Sequence, residues 1–132
     1  MTRPLRIVVA DDEPVVRDYF RRILPLLGHE VVAAAADGIE LIKCCAEQQP
    51  DLIIADVRMP GMDGDDAVRE VCSARPTPFI LVSAYSKAAI APAEAGAIRW
   101  EYLTKPVKRD NLEEAIQRLF EREGDEDRTP RQ

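Results

Sequence analysis

Residues 50–64 read PDLIIADVRMPGMDG, in which an apolar run leads into an aspartate and a turn. The run Leu52–Ala55 is continuous rather than alternating, which is typical of a strand buried on both faces of a parallel sheet. Asp56 follows this run directly, and Met59–Pro60 then predicts a turn. Asp56 should therefore lie where a strand ends, at the edge where α/β sheets bind their ligands.

Two further segments repeat this pattern. The apolar run Leu5–Ala10 ends at Asp11 and Asp12, and Tyr102–Leu103 comes shortly before Lys105. If these strands are neighbours in one parallel sheet, three carboxylates and one ammonium group converge at the same edge. Clustered carboxylates repel one another unless a hard cation lies among them, and Mg²⁺ prefers oxygen ligands of this kind. The pattern therefore predicts a Mg²⁺ site.

The rest of the sequence alternates between strand and helix patterns. Apolar runs at Val31–Ala36 and Phe79–Val82 predict two more strands, and apolar residues at helical spacing predict five helices. The helices cover Pro14–Leu24, Gly38–Glu47, Asp65–Ala74, Lys87–Ala95 and Asp110–Arg122. Asp110 and Glu113 resemble a capping box, which makes Asp110 the expected N-cap of the last helix. Five β-α units in succession predict an α/β domain with a parallel sheet and helices on both faces.

Size and composition bound the domain organisation. With 132 residues, 46% of them hydrophobic and 32% charged, the chain should form one globular domain. We expect this domain to cover residues 1–122. Residues 123–132 are charged and lack large apolar side chains, so we expect a flexible C-terminal tail. Cys44, Cys45 and Cys72 fall within helical patterns without a metal-binding spacing, and we expect them to be reduced.

Charge and hydropathy argue against some classes of function. The net charge of −6 disfavours direct binding of nucleic acid, which depends on Lys and Arg contacts to phosphates. No stretch approaches the roughly 20 apolar residues of a membrane span, and the N-terminal Met-Thr-Arg-Pro lacks a signal-peptide apolar region. We therefore expect a cytoplasmic protein without membrane contact. His29, the only histidine, has no catalytic partner in its turn and is expected at the surface.

Four motifs resemble the receiver domain of two-component response regulators. They are VVADDE at 8–13, PDLIIADVRMPGMDG at 50–64, ILVSAY at 80–85 and YLTKP at 102–106. Each motif lies at a predicted strand end, and the similarity covers about residues 5–121. The resemblance implies a flavodoxin-like, doubly wound (βα)5 domain of the CheY-like superfamily, with five parallel strands in the order 2-1-3-4-5. It also implies a phosphorylation-activated response regulator in a two-component or phosphorelay system.

The resemblance assigns roles to the predicted acidic site. Asp56 would accept the phosphoryl group as an acyl phosphate. The Mg²⁺ ligands would be Asp11, Asp12, Asp56 and the backbone carbonyl of Arg58. Taken alone, Asp12 and Glu13 would equally serve as caps of the first helix before Pro14, and Asp56 would equally serve in a turn. The joint occurrence of four motifs favours the site over these separate structural roles.

Lys105 and Ser83 would contact the transferred phosphoryl group through an ammonium charge and a hydroxyl group. Ser83 and Tyr102 would form the switch, because the family usually has an aromatic near the position of Tyr102 whose rotamer tracks phosphorylation. The Lys105–Pro106 bond is expected to be cis. Taken alone, these residues would be a solvated lysine, a loop serine and a half-buried strand aromatic.

Arg58 and Tyr85 would set the lifetime of the acyl phosphate. Each lies two residues beyond a site residue, Arg58 after Asp56 and Tyr85 after Ser83. A guanidinium stem and an aromatic ring at the mouth of the site would screen the approach of water, and no residue offers itself as a base. We therefore expect slow self-dephosphorylation. If both side chains point into solvent instead, they have no such effect.

The implied partners are proteins. The phosphodonor would be a histidine kinase or a histidine phosphotransfer protein, and the output would be changed contacts with a downstream protein or in a homodimer. Receivers generally use the face of the fourth helix, fifth strand and fifth helix for such contacts. Trp100, near this face, would be a partner anchor or a lid on the core. We expect no enzyme activity beyond phosphoryl acceptance and self-dephosphorylation.

Two alternatives differ from a phosphorylated switch. A pseudo-receiver, an interaction module that is never phosphorylated, would be marked by loss of an acidic or lysine position, and none is lost here. A Mg²⁺ phosphatase of the haloacid-dehalogenase type normally needs a second aspartate two residues after its nucleophile, and Arg58 occupies that position. Turnover of a phosphomonoester would identify the phosphatase.

Overall fold

The computed structural model of the chain describes residues 3–84 and 98–128, which contain five strands and four helices. The elements are β1 (Arg6–Ala10), α1 (Pro14–Leu26), β2 (Glu30–Ala35), α2 (Gly38–Gln48), β3 (Leu52–Asp56), α3 (Gly64–Ala74), β4 (Phe79–Ser83), β5 (Trp100–Thr104) and α4 (Arg109–Arg128). The predicted helix Lys87–Ala95 and the predicted lifetime residue Tyr85 lie outside the described residues.

The five strands are parallel and lie in the order β2-β1-β3-β4-β5, which confirms the predicted doubly wound sheet. The central strands β3 and β4 are buried along their whole length, as their continuous apolar sequences predict. Ala10 pairs with Ala55, and Asp56 pairs with Val82. The carboxyl ends of β1, β3 and β4 therefore lie level, and the residues that follow them meet at one edge of the sheet.

Helices cover both faces of the sheet. Successive strand residues point to opposite faces, so Val8 belongs to one core cluster and Ile7 to the other. On the first face Leu41 of α2 and Val68 of α3 complete the core, and on the second face α1 and α4 do so, with Phe20 among the largest buried side chains. None of the described helices combines the length and apolar character needed to cross a membrane.

The helix ends follow local sequence signals, with one correction. Pro14 opens α1, and Gly28 follows its end with a φ of +94°, a conformation that favours glycine. The side chain of Asp37 accepts a hydrogen bond from the N–H of Glu40 and caps α2. The prediction of Asp110 as N-cap is wrong, because α4 begins at Arg109 and continues beyond residue 122 to Arg128. Asp110 lies in the first helical turn, where its negative charge interacts favourably with the helix dipole.

The surface prediction for His29 is also wrong. Its side chain is buried, and Nδ1 accepts a hydrogen bond of 3.1 Å from the N–H of Leu5, just before β1. The imidazole thus provides an acceptor for a backbone donor that is buried beside the sheet. Burial lowers the pKa of His29, which keeps the ring neutral and able to accept this bond.

The cysteines and the tryptophan belong to the core. All three cysteines are free, as predicted, and burial, followed by the nearby thiols of Cys44 and Cys72, raises the pKa of Cys45 to about 12. Trp100 stacks on Phe79 with ring centroids 5.7 Å apart and an angle of 17° between the planes. Trp100 also packs against the core cluster on the α2–α3 face, which supports its interpretation as a lid.

Candidate functional site

The predicted site residues meet at the carboxyl edge of the sheet. Asp11 follows β1, Asp56 ends β3, Ser83 ends β4 and Lys105 follows β5. The backbone extends the sheet at this edge, because the N–H of Lys105 donates to the carbonyl of Ser83 at 2.8 Å and the N–H of Asp11 donates to the carbonyl of Ala35 at 3.0 Å. Side chains from four different strands are thus fixed in one small region.

The three predicted carboxylates form a compact group. Asp11, Asp12 and Asp56 each offer an oxygen within 4.8 Å of the others. Asp11 is 1% exposed and Asp56 is 6% exposed, while Asp12 reaches the surface. A set of carboxylate oxygens, open to solvent on one side, fits the preference of Mg²⁺ for hard oxygen ligands and retained water. The residues present therefore fit the predicted ion.

Lys105 places a positive charge between the two buried carboxylates. Its Nζ lies 3.0 Å from Oδ2 of Asp11, 3.3 Å from Oδ2 of Asp56 and 3.9 Å from Oε1 of Glu13. The Lys105 side chain is 22% exposed, so the ion pairs with Asp11 and Asp56 are largely shielded from water. The peptide bond between Lys105 and Pro106 is cis, as predicted.

The pKa values of Asp56 and Lys105 reflect burial and the charges of neighbouring groups. Burial, and next the charge of Asp11, raises the pKa of Asp56, although Lys105 and the N–H of Arg58 act in the opposite direction. For Lys105, burial acts to lower the pKa, but the hydrogen bond and charge of Asp11, followed by Asp56, outweigh it and leave the pKa raised. Lys105 therefore stays cationic, while the negative charge on Asp56 is only partly compensated.

Asp11 is fixed by Glu13, which was considered only as a cap of the first helix, and by Arg17, which had no predicted role. Its Oδ1 accepts a hydrogen bond of 2.9 Å from the N–H of Glu13, and its backbone carbonyl accepts one of 2.7 Å from the guanidinium of Arg17. Helical side chains lean toward the helix N-terminus, so an arginine one turn into α1 could have been expected to reach back to the end of β1.

Gly64 is a second residue without a predicted role. It opens α3, and its N–H donates to the carbonyl of Val57 at 2.7 Å. A Cβ atom at this position would overlap the backbone carbonyl of Asp56. The start of α3 can therefore pack directly behind Asp56 only because Gly64 lacks a side chain. A glycine immediately after the N-cap of a helix, where other residues are favoured, was the available sequence signal.

The remaining predicted residues lie around this centre. Ser83 is 1% exposed at the end of β4, and Tyr102 is half-buried in β5 against the core cluster on the α2–α3 face. Arg58 is exposed in the loop after Asp56, and its N–H forms a hydrogen bond with the Asp56 side chain. The roles of Ser83, Tyr102 and Arg58 stay predictions.

Comparison with known proteins gives consistent matches. A family model described as the response regulator receiver domain matches residues 7–117. The chain is 35% identical over 114 residues to the transcriptional regulatory protein PdtaR of Mycobacterium tuberculosis, covering 86% of this chain and 56% of that protein. It is 39% identical over 97 residues to a protein-glutamate methylesterase/protein-glutamine glutaminase of Hahella chejuensis, covering 70% of this chain and 28% of that protein.

A solved structure supports the same assignment. A two-component response regulator of the LuxR family from an Aurantimonas species superimposes with a TM-score of 0.80 at 30% sequence identity. The match covers 89% of this chain and 86% of that one. The chain thus spans only part of the length of the two curated relatives but most of this solved structure.

Proposed function

The chain belongs to the response regulator receiver family, and from this premise we propose that it is a phosphorylation-controlled switch with Asp56 as phosphoacceptor. In the transfer, an oxygen of the Asp56 carboxylate forms a bond to phosphorus. The bond from phosphorus to the imidazole nitrogen of the donor breaks, and its electron pair stays on that nitrogen. The product is an acyl phosphate on Asp56 and a dephosphorylated donor.

The convergence of Asp11, Asp56 and Lys105 at one sheet edge carries this proposal. Burial and the charge of Asp11 raise the pKa of Asp56, which favours a nucleophilic carboxylate. The Asp11 carboxylate accepts a hydrogen bond from the N–H of Glu13 and pairs with Lys105 at 3.0 Å, so it is less available for attack. Lys105 lies 3.3 Å from Asp56 and places a cation where the oxygens of an incoming phosphoryl group would gather.

Asp11, Asp12, Asp56 and the backbone carbonyl of Arg58 would hold Mg²⁺. When bound, the ion supplies charge neutralisation for the phosphoryl oxygens, which is most of what a loose, in-line transfer requires. Lys105 would bind the transferred group as a point charge, and Ser83 would donate its hydroxyl hydrogen to another phosphoryl oxygen.

The output would be a change in protein contacts. Lys105 belongs to the loop directly after β5, so movement of its ammonium toward a phosphoryl group would pull on the strand that carries Tyr102. The donor would be a histidine kinase or a histidine phosphotransfer protein. The responding surface would include β5, α4 and the segment before β5, and it would engage a downstream protein or a second copy of the chain. Such a switch would act in the cytoplasm without contacting DNA or membrane itself.

The decisive experiment is intact-mass measurement after incubation with acetyl phosphate. We expect one added phosphoryl group in the presence of Mg²⁺, and none in Asp56→Asn or with the metal chelated. Asp65→Asn, in an acidic group on α3, is the matched control and should be phosphorylated like the wild type. Uptake that persists in Asp56→Asn would refute the acceptor, and no uptake in the wild type would favour the pseudo-receiver.

A second measurement tests the switch. Lys105→Ala should still accept a phosphoryl group on Asp56 but lose the conformational response, because the link from the phosphoryl group to β5 is missing. Amide exchange in residues 98–107 would be compared with and without beryllofluoride. A mutant that responds like the wild type would contradict this role of Lys105.

A further inference from the structure

Arg17 makes a contact that the phosphoryl-transfer roles do not use. Its guanidinium donates a 2.7 Å hydrogen bond to the backbone carbonyl of Asp11, and its side chain is half-buried against the loop between β1 and α1. The backbone N–H of Arg17 donates to the carbonyl of Glu13, the N-cap of α1. Arg17 thus joins a rigid helix to the short loop that carries the two adjacent aspartates.

The contacts of Asp11 fall into two kinds. Its carboxylate oxygens accept bonds from the N–H of Glu13 and the ammonium of Lys105, at 2.9 and 3.0 Å. A cation that binds the carboxylate competes with both of these partners. Its main chain is held by the N–H bond to Ala35, at 3.0 Å, and by Arg17. These backbone contacts use no carboxylate lone pair, so they persist when the carboxylate changes partner.

We propose that Arg17 is a positioning residue for the cation site. By fixing the Asp11 carbonyl, it holds the loop so that Asp11 and Asp12 face Asp56 before any ion arrives. Preorganised ligands lose less conformational freedom on binding, and for this reason contacts behind the ligands affect metal affinity. The inference rests on the proposed binding of Mg²⁺ at this site.

Two physical effects of Arg17 on Mg²⁺ binding have opposite signs. Its positive charge repels the ion, so loss of charge alone would strengthen binding slightly, with screening by solvent and salt. Its anchoring of the loop favours binding, so loss of the hydrogen bond would weaken it. Removal of a contact behind a metal ligand typically weakens affinity by roughly 10–100-fold, and anchoring should therefore dominate.

Calorimetric titration with Mg²⁺ measures which effect dominates. We expect the Kd of Arg17→Met to rise roughly tenfold. Arg17→Lys should recover part of the affinity, because an ammonium can donate one bond to the carbonyl. The control Arg21→Met removes the same charge from an exposed position of α1 and should leave the Kd unchanged or slightly lower.

The outcomes separate this inference from the proposed function. If the wild type binds Mg²⁺ and Arg17→Met binds it as tightly as Arg21→Met, the positioning role is overturned. If the wild type binds no Mg²⁺, the proposed function fails and this inference with it. Circular dichroism checks that the variants fold; if Arg17→Met does not fold, the comparison of Arg17→Lys with Arg21→Lys decides, and equal Kd values would overturn the role.

Discussion

Two groups of three aspartates in the described chain have the same compactness but different surroundings. The strand-end cluster consists of Asp11, Asp12 and Asp56, and the helix-start cluster consists of Asp63, Asp65 and Asp66. In each cluster, one carboxylate oxygen of each residue lies within 4.8 Å of the corresponding oxygens of the other two. Proximity of acidic side chains therefore does not by itself distinguish a reactive site from an ordinary helix start.

The two clusters differ in how deeply their residues are buried and in the elements that supply them. The strand-end cluster draws its members from two strands, buries Asp11 and Asp56, and receives Lys105 from a third strand. The helix-start cluster comes from adjacent positions at the start of α3, where the helix dipole favours acidic residues. In its ion pair between Arg69 and Asp66, at 2.8 Å, both side chains are exposed. A sheet edge thus concentrates charge at an energetic disadvantage, whereas a helix start accepts it readily.

The largest expected difference between the clusters is in Mg²⁺ affinity. Asp11→Asn should raise the Kd by more than the roughly 10–100-fold that loss of an outer contact produces, because a ligand itself is removed. Asp66→Asn should leave the Kd near the wild-type value. Calorimetric titration of both variants tests this. Equal losses of affinity would show that the ion binds to general negative charge rather than to the strand-end cluster.

The next largest difference is expected between the basic residues that pair with each cluster, Lys105 and Arg69, in their effects on stability. Lys105→Met leaves two buried carboxylates without their counter-charge, and we expect a loss of about 2 kcal/mol in the free energy of unfolding without metal, below the ~3–5 kcal/mol of a fully buried pair. Arg69→Met breaks an exposed pair that contributes about 0–1 kcal/mol. Urea unfolding in chelator would measure both, and a smaller effect for Lys105→Met than for Arg69→Met would contradict the comparison.

An exposed arginine beside each cluster provides a third comparison, of phosphoryl lifetime. We propose that Arg58 and Tyr85 screen the acyl phosphate from water. The double variant Arg58→Ala, Tyr85→Ala should therefore lose its phosphoryl group faster than the wild type. A tenfold change in this rate corresponds to about 1.4 kcal/mol in the activation barrier. Arg69→Ala, beside the helix-start cluster, should have no effect. Decay would be followed by intact mass. An unchanged rate in the double variant, with phosphorylation still on Asp56, would remove the basis for screening.

The smallest expected effect is on stability, where substitutions in the two clusters should change the free energy of unfolding in opposite directions at pH 7. The raised pKa of Asp56 means that the folded state binds its proton more readily than the unfolded state, so its stabilising contribution is present at low pH and is lost as pH rises from about 4 through the folded pKa. Asp56→Asn should therefore be more stable than the wild type at pH 7 in chelator, and this advantage should vanish toward pH 4.

Asp65→Asn should show the opposite sign, because it removes a favourable charge from the first turn of α3, worth about 0.3–1 kcal/mol. Thermal unfolding across pH 4 to 7 would compare the two variants. If Asp56→Asn were less stable than the wild type at pH 7, the ion pair with Lys105 would outweigh the crowding of charge in the strand-end cluster.

The strand-end cluster could be predicted because each of its residues is marked by the sequence directly before it. Each member follows a buried apolar run, and parallel register then brings the run ends level, as the pairing of Asp56 with Val82 demonstrates. The strand order was available only through the resemblance to a family, since apolar periodicity does not say which strands are neighbours. Most helix bounds also followed from local signals, such as Pro14 before α1.

What sequence reasoning missed depends on contacts between distant segments. His29 is buried because the turn after α1 passes beside Leu5, a neighbour that no local pattern indicates. The contact of Arg17 with Asp11 depends on how α1 is rotated over the sheet, and the close approach of Gly64 to Asp56 depends on the path of the loop between them. In each case the sequence indicated the helix or turn that holds the residue but not the distant residue that it contacts.

The stacking of Trp100 on Phe79 has an optical consequence. Trp100 is the only tryptophan of the chain, so it dominates the intrinsic emission excited at long ultraviolet wavelengths. It lies at the start of β5, while Ser83 and Thr104 pair at the opposite end of the same two strands, about 13 Å away at the usual rise of a strand. An ion or phosphoryl group at the strand ends is too far away to quench the indole by contact. A change in its emission would instead report a change in the packing around Trp100, which includes its stacking on Phe79 and its contact with the core cluster on the α2–α3 face.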